Sequence, residues 1–379
     1  MLVFGLFLSV FVAMVAASSD PEAHMTTAEI INHWGYPAET FHVSTEDGYI
    51  IELHHIPYGK KKGPYGNKTR PVVFLQHGFD GASANWVVNL PEQSAGFMFA
   101  DAGYDVWLGN VRGNTYGKSH KELSTWRSRF WEYSFDEHAK YDLPAMIDFV
   151  LNRTRQEQLY FIRKHFALAP VATIKYMKGL FAFFAHYFYT AWQKKVTHLG
   201  SSDFLPSSWL TKVTVADGVC VLPLLGGAAC AQFLYSFAGP NTNQLNETRL
   251  PVYLAHLPAG TSSQNMLHWF QMVHSGKTQK YDYGSAAFNE QHYGSPIPPE
   301  YNISKVNIDT YLFWGDKDYL ADPQDVKQGL LPYLNPQILK GNTHFKRFNH
   351  MDFIWGLRAT KKIYKSIIAT IQEDWKTNT

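Results

Sequence analysis

Three short motifs carry side chains or amides whose types suit acyl chemistry. His77-Gly78-Phe79 directly follows the apolar run PVVFLQ, so the Phe79 amide stands at the end of a buried-looking strand, where it could donate to a developing oxyanion. Asp318 closes the run TYLFWGDKD, and His350 lies 32 residues further on in FNHMDFIWG. A carboxylate that orders an imidazole makes that imidazole a general base. A late acid followed by a still later histidine is the order such a relay takes on open α/β sheets. Each motif has an ordinary reading as well. A His-Gly after a strand is common, Asp318 also suits a turn, and His350 also suits a satisfied histidine ahead of a helix.

A relay of this kind needs something to activate. The expected partner is a serine on a Gly-x-Ser-x-Gly elbow, whose strained strand-to-helix turn presents the hydroxyl to the histidine. No such pentapeptide occurs anywhere in the chain. Ser83 in GASAN and Ser119 in GKSH lie near glycines, but neither stands between a strand and a helix. Tyr116-Gly117-Lys118-Ser119 hints at a phosphate loop and fails as one, because Arg112 occupies the position that loop reserves for glycine.

The elements that must position these residues read as alternating strands and helices. Thr26-Thr27-Ala28-Glu29 has capping-box spacing for a short helix ending at Trp34-Gly35-Tyr36-Pro37. Asp47-Gly48 then turns a hairpin within FHVSTEDGYIIEL. From Pro71 the order is PVVFLQHG, YDVWLGN, the helical DLPAMIDFVLNRT, EQLYFI and FALAPVA. Apolar strands separated by amphipathic helices imply a parallel sheet covered on both faces, with its site at the carboxyl ends of the strands. His77-Gly78, Asn110 and Asp318 fall there. The last helix carries Ile363, Ile367 and Ile371 on one face. Between about Thr173 and Asn302 the strand pattern gives way to aromatic helical stretches such as MKGLFAFFAHYFYTAW and the Gly/Pro-broken VLPLLGGAACAQFLYSFAGP. This segment reads as an insertion over the core, its aromatics suiting either lipid contact or plain packing.

Composition narrows the class. With 379 residues and 45% apolar content the chain can bury a large core, and 34 basic against 32 acidic residues nearly cancel with no long basic run, which favours neither nucleic acid nor an anionic membrane surface as a partner. The opening MLVFGLFLSVFVAMVAASSD ends in the small residues Val15-Ala16-Ala17, which reads as a signal peptide over residues 1–17, with a retained anchor as the alternative. Cys220 and Cys230, an even pair in a secreted chain, suggest one short-loop disulfide, or else two buried thiols. Asn67, Asn152, Asn246 and Asn302 each begin an Asn-x-Ser/Thr acceptor for glycosylation, in keeping with the secretory route.

Taken together, the blocks NHWGYPAE, TEDGYIIELHHIPYG, RPVVFLQHG, NLPEQSAGFMFADAGYDVWLGNVRGNTY, KYDLPAMIDFVL, AHLPAGTSSQNMLHWFQ, DKDYLADPQDV and FNHMDFIWG give a dense resemblance to the acid lipases, the group of lysosomal acid lipase and gastric lipase. The resemblance runs from about Ser18 to Trp375. It implies an α/β-hydrolase with a mostly parallel central sheet and an inserted helical cap. The matching divisions are an N-terminal helix and hairpin over 18–70, core over 71–172, cap or lid over 173–302 and core again over 303–379. It implies Asp318 as relay acid ahead of Asp316, Asp322 and Asp325, His350 as base, the Phe79 amide as oxyanion donor, and Cys220–Cys230 as the cap disulfide. The reaction it implies is hydrolysis of triglycerides or sterol esters through a serine acyl-enzyme, with no metal or organic cofactor, in the lysosome or outside the cell. A non-catalytic lipid-binding or regulatory homologue is the alternative.

Against the family pattern about two dozen residues are absent after EQLYFI, covering the elbow, its helix and the return connection. Ile162 runs straight into Arg163-Lys164-His165-Phe166. Adjacent parallel strands need a crossover of a dozen or more residues, so EQLYFI and FALAPVA cannot both keep their places. Either they merge into one strand or one of them leaves the sheet and exposes core residues.

Overall fold

The computed structural model of the chain describes residues 20–60, 69–206, 220 and 226–378. The signal-peptide reading and Asn67 lie outside the described residues. Local chemistry decides the first elements. Helix α1 (Thr27–His33) starts on a complete capping box, with Thr26 N–H donating to Glu29 Oε2 at 2.7 Å and Glu29 N–H to Thr26 Oγ1 at 3.3 Å. Strands β1 (Glu39–Ser44) and β2 (Tyr49–Ile56) pair antiparallel around Asp47-Gly48, and Gly48 takes the positive φ of 99° that the turn demands.

Strand β3 (Val72–Leu75) lies parallel to β4 (Asp105–Leu108), and β4 pairs with β2, while the two-residue β5 (Ser119–His120) pairs antiparallel with the start of β2. The period-2 alternation of the pleat sends neighbouring residues to opposite faces. Val73, Val106 and Leu108 join a core with helix α2 (Ala95–Asp101) and the final helix; Val72, Phe74 and Trp107 join a second core with Met146, Ile147 and Val150 of α3 (Leu143–Thr154). Arg112, just beyond β4, is fully buried between Asp142 and Asp47, which ties this loop to the hairpin.

The sheet then breaks. Of EQLYFI, expected as a strand, a single parallel bridge survives: Tyr160 N–H donates to Val72 O at 2.8 Å and Phe74 N–H to Tyr160 O at 3.1 Å. Leu159 O next accepts from Phe161, Ile162 and Arg163 N–H, a turn that ends the segment. Strand β6 (Lys164–Leu168) begins immediately, earlier than FALAPVA implied, and pairs parallel with β9 (Asp309–Gly315), which pairs parallel with β10 (Leu339–Phe345). The order is therefore β1-β2-β4-β3 in one sheet and β10-β9-β6 in another.

Reach explains the break. Four Cα steps from Tyr160 to Lys164 cover at most about 14 Å. Returning along a five-residue strand alone requires about 17 Å, before any passage around the sheet face. The chain therefore goes forward from the edge of β3 to the foot of β9, and one strand leaves the sheet. All five residues of β6 are half-buried, unlike the closed strands β3 and β4. The junction is pinned instead by Asp374 on helix α9 (Lys365–Asn378), which accepts from Tyr160 Oη at 2.7 Å, Arg163 Nε at 2.5 Å and Lys164 Nζ at 3.2 Å. Ile363, Ile367 and Ile371 are buried along this last segment, as their spacing predicts.

Between β6 and β9 the chain is helical: α4 (Gly179–Leu199), α5 (Gly226–Ala238), α6 (Leu250–His256), α7 (Ser263–Ser275) and α8 (Ala286–Tyr293). Phe181, Ala182 and Ala185 of α4 pack on Met266, Phe270 and Val273 of α7. A small antiparallel pair, β7 (Asp203–Phe204) with β8 (Thr261–Ser262), interrupts the helices where the sequence pattern showed no strand. Cys220 and Cys230 form a disulfide at the start of α5. Among the described residues no helix is long and apolar enough to cross a membrane.

In hydrogen–deuterium exchange read by mass spectrometry, residues 157–168 should lose protection well before β4 and the body of β9, because β6 is paired along one edge alone. Equal protection of the two would contradict the broken sheet.

Candidate active site

The acid is set by a turn. After β9 ends at Gly315, Asp318 Oδ1 accepts from the backbone N–H groups of Leu320 (2.9 Å) and Ala321 (2.8 Å), which fixes the direction of the carboxyl group in a buried site. His350 follows β10 on the neighbouring loop. Its Nδ1 lies 3.0 Å from Asp318 Oδ2 and 3.1 Å from Oδ1. A carboxylate offers lone pairs, so Nδ1 carries the hydrogen and Nε2 is left with its own lone pair. Nε2 has no hydrogen-bond partner among the described residues, and His350 lines a cavity.

Sequence reasoning missed the clamp that holds these two loops. The carbonyl of Ala238, last residue of α5, accepts from His350 N–H at 3.0 Å and from Tyr319 N–H at 3.2 Å, so one oxygen ties the residue after Asp318 to His350 itself. Gly239 follows with φ +118°, and a Cβ there would lie 1.9 Å from the Lys317 carbonyl oxygen. Asn349 Nδ2 adds a bond to Pro240 O at 3.1 Å. The available signal was Gly239-Pro240, the usual punctuation after a helix.

On the other side of the cavity stands the loop after β3. Phe79 N–H has no acceptor among the described residues, and the Phe79 ring packs edge-on against Trp269 and Phe181. His77 is buried, with Nδ1 donating to Gly78 O at 2.8 Å, and burial pulls its pKa down to about 4, so the ring is neutral. Asp80 Oδ1 accepts from Gly260 N–H at 2.8 Å, tying the loop to the helical segment.

Other candidates are occupied elsewhere. Ser83 Oγ lies 2.8 Å from His54 Nδ1, whose Nε2 lies 3.6 Å from Glu52 Oε2, which mimics a triad on paper. Ser83 is completely buried, and its hydroxyl also meets Thr27 Oγ1 at 3.0 Å and Asn110 Nδ2 at 3.2 Å, leaving no access for an ester. Burial also pulls His54 down to about 4. Ser119 is exposed on β5. Asp316 pairs with His344 at 2.6 Å, Asp322 Oδ1 accepts from Gln324 N–H, and Asp325 accepts from Lys175 and Tyr176 N–H. Asn152 and Asn302 are exposed and Asn246 is half-buried. No cluster of three or more His, Cys, Asp or Glu suited to a metal ion occurs among the described residues.

Mostly parallel strands layered with helices, and a buried Asp318 paired with a partly exposed His350 beyond the strand ends, define a protein of the α/β-hydrolase class. Residues 27–90 match the family model described as a partial alpha/beta-hydrolase lipase region. The chain is 49% identical to lipase lipl-1 of Caenorhabditis elegans, over 94% of this chain and 93% of that protein. It is 43% identical to gastric triacylglycerol lipase of Homo sapiens (94% and 93%), and 41% identical to human lysosomal acid lipase/cholesteryl ester hydrolase (92% and 91%). The chain belongs to the acid lipase family. The alignment with lipl-1 runs over 380 positions, whereas 94% of this chain is about 356 residues, so about two dozen positions of the relative have no counterpart here.

Gly239→Ala should push Lys317 away and open the Asp318–His350 contact, at a cost of about 1–3 kcal/mol. Loss of the low-field Nδ1 proton resonance of His350, with a lowered melting temperature, is the expected readout. Asp352, beside the base, takes its pKa up to about 6, through burial first and the Asp318 charge in addition. Its folded state thus binds the proton more tightly than the unfolded chain. That contribution is whole below about pH 4 and is lost as pH rises through about 6. Asp352→Asn removes it, so the stability of the variant minus that of the native chain should rise by on the order of 2–3 kcal/mol from pH 4 to 7, measured by urea unfolding.

Proposed function

We propose that this chain is a lipid-ester-binding member of the acid lipase family that does not itself turn over esters through a serine acyl-enzyme. The observation that carries this reading is that Nε2 of His350 has no partner among the described residues beside an intact Asp318 contact, in a chain with no Gly-x-Ser-x-Gly elbow. The family's substrates are carboxylic esters of lipids, triglyceride or sterol ester, and the names of the relatives support that class. In this assignment Asp318 orients the imidazole, His350 is the base, and the Phe79 amide is the oxyanion donor.

Magnitudes separate binding from turnover. Loss of the nucleophile in such a triad costs on the order of 10⁶ in rate. A positioned histidine acting on water as a general base recovers about 10²–10⁴. The balance falls far short of a working lipase.

Residues 173–302 are assigned as the cap. Phe183, Tyr187 and Phe188 on α4 are exposed, at 48%, 74% and 46%, and suit transient contact with a lipid surface. Exposed acceptors at Asn152 and Asn302, the disulfide, and relatives named gastric and lysosomal support a secretory destination, lysosomal or extracellular. A second reading is a full ester hydrolase whose transcript carries the missing block between Ile162 and Arg163. The smooth match on both sides of that junction favours a clean block loss.

A fluorophosphonate probe should leave the purified chain unlabelled, and p-nitrophenyl ester hydrolysis should run at least about 10²-fold below that of a chain carrying the missing block. Insertion of the lipl-1 block between Ile162 and Arg163 should restore both signals. Labelling of the chain as it stands would refute the proposal.

A further inference from the structure

The break in the sheet leaves a cavity of about 650 Å³, bounded by β3 with Tyr160 on one side and by β6 on the other. Its walls are apolar: Val73, Leu75, Phe166, Leu168, Ile367 and Ile371 line its body. Such a volume lies within the range of ligand sites, about 300–1,000 Å³. At one end it reaches Phe79 and His350. The Phe79 N–H donor and the His350 Nε2 lone pair are unspent among the described residues, and Gln76 Oε1, Asn85 Oδ1, Trp86 Nε1 and Trp269 Nε1 of the lining also have no hydrogen-bond partner. Lys164 is the one Lys or Arg among the described lining residues, and it is already paired with Asp309 at 3.1 Å and Asp374 at 3.2 Å. Of the unspent groups, the His350 imidazole is the one that can exchange a proton with a carboxyl group.

We propose that this cavity binds one unesterified long-chain fatty acid, its chain lying between β3 and β6 and its carboxyl group held between the Phe79 amide and the His350 imidazole. The inference rests on the reading that no serine occupies His350. One carboxyl oxygen accepts from Phe79 N–H. The other shares a single proton with Nε2, while Nδ1 keeps its hydrogen and donates it to Asp318. An ester has no proton to share, and its oxygens meet the Nε2 lone pair, so the free acid is preferred over its ester. No bond to the ligand forms or breaks. The alternative occupant of two facing strand edges is a second copy of the chain, which would exclude the ligand.

Hexadecanoic acid and its methyl ester, titrated calorimetrically into the full chain, test the proposal. The acid should bind one per chain, at least about tenfold more tightly than the ester. Leu168→Trp fills the cavity and should weaken the acid at least tenfold, whereas Ile297→Ser, at an exposed position outside the cavity, should leave it unchanged. A brominated octadecanoic acid should quench the unaltered protein through Trp86 and Trp269, which both line the cavity, and Trp269→Phe should reduce that quenching, so the test does not depend on the folding of Leu168→Trp. Equal affinity for acid and ester, binding that depends on neither Leu168 nor Trp269, or a dimer that binds no acid would each overturn it. Fluorophosphonate labelling of the same preparation reports separately on the proposed loss of turnover.

Discussion

Three residues, Phe161 to Arg163, govern the architecture of this molecule. Between the Tyr160 bridge to β3 and the first residue of β6 there is too little chain for a right-handed crossover, so the central sheet cannot be continuous. The two half-sheets are joined by other means. Val73 of one and Phe313 of the other share a single apolar core with Ile367 and Ile371 of α9, and Asp374 gathers Tyr160, Arg163 and Lys164 at the seam. Apolar burial is non-directional and tolerates a shifted register, which a hydrogen-bonded ladder does not.

The same constraint explains why the Asp–His geometry survives. Asp318 follows β9 and His350 follows β10, and these strands belong to one half-sheet, so the break does not pass between them. The end of α5 then fixes the two loops against each other through the Ala238 carbonyl. Phe79 belongs to the other half, and its loop is held by links to the helical segment, Asp80 to Gly260 and the Phe79 ring to Trp269. Gly239 and Asp80 both take positive φ, at 118° and 56°, where the chain must approach closely.

Several elements were legible because their causes are local. The capping box at Thr26 and Glu29, the Asp47-Gly48 turn, the alternation in β3 and β4 and the isoleucine face of the last helix each rest on residues close in sequence. EQLYFI shows the limit of such reading. Its composition is that of a strand, yet whether a strand forms depends on a partner edge, and the short connection carries the segment away from β3 after one bridge. Ser83 shows the opposite failure: its neighbours in space, His54 and Glu52, give it triad-like contacts that no local motif announces, in a site closed to substrate.

The sequence by itself determined the chemistry on offer and the chemistry lacking. Asp318, His350 and the Phe79 amide, and the absence of a Gly-x-Ser-x-Gly elbow, are properties of residue type and order, and so is the shortness of the junction at Ile162–Arg163. Tertiary structure alone decided that one carbonyl, Ala238 O, would serve both relay loops, that Asp374 would hold the seam, and that the gap would become a lined cavity reaching His350. These outcomes depend on where distant segments come to rest, and packing and chain reach fix that position only once the whole core has formed.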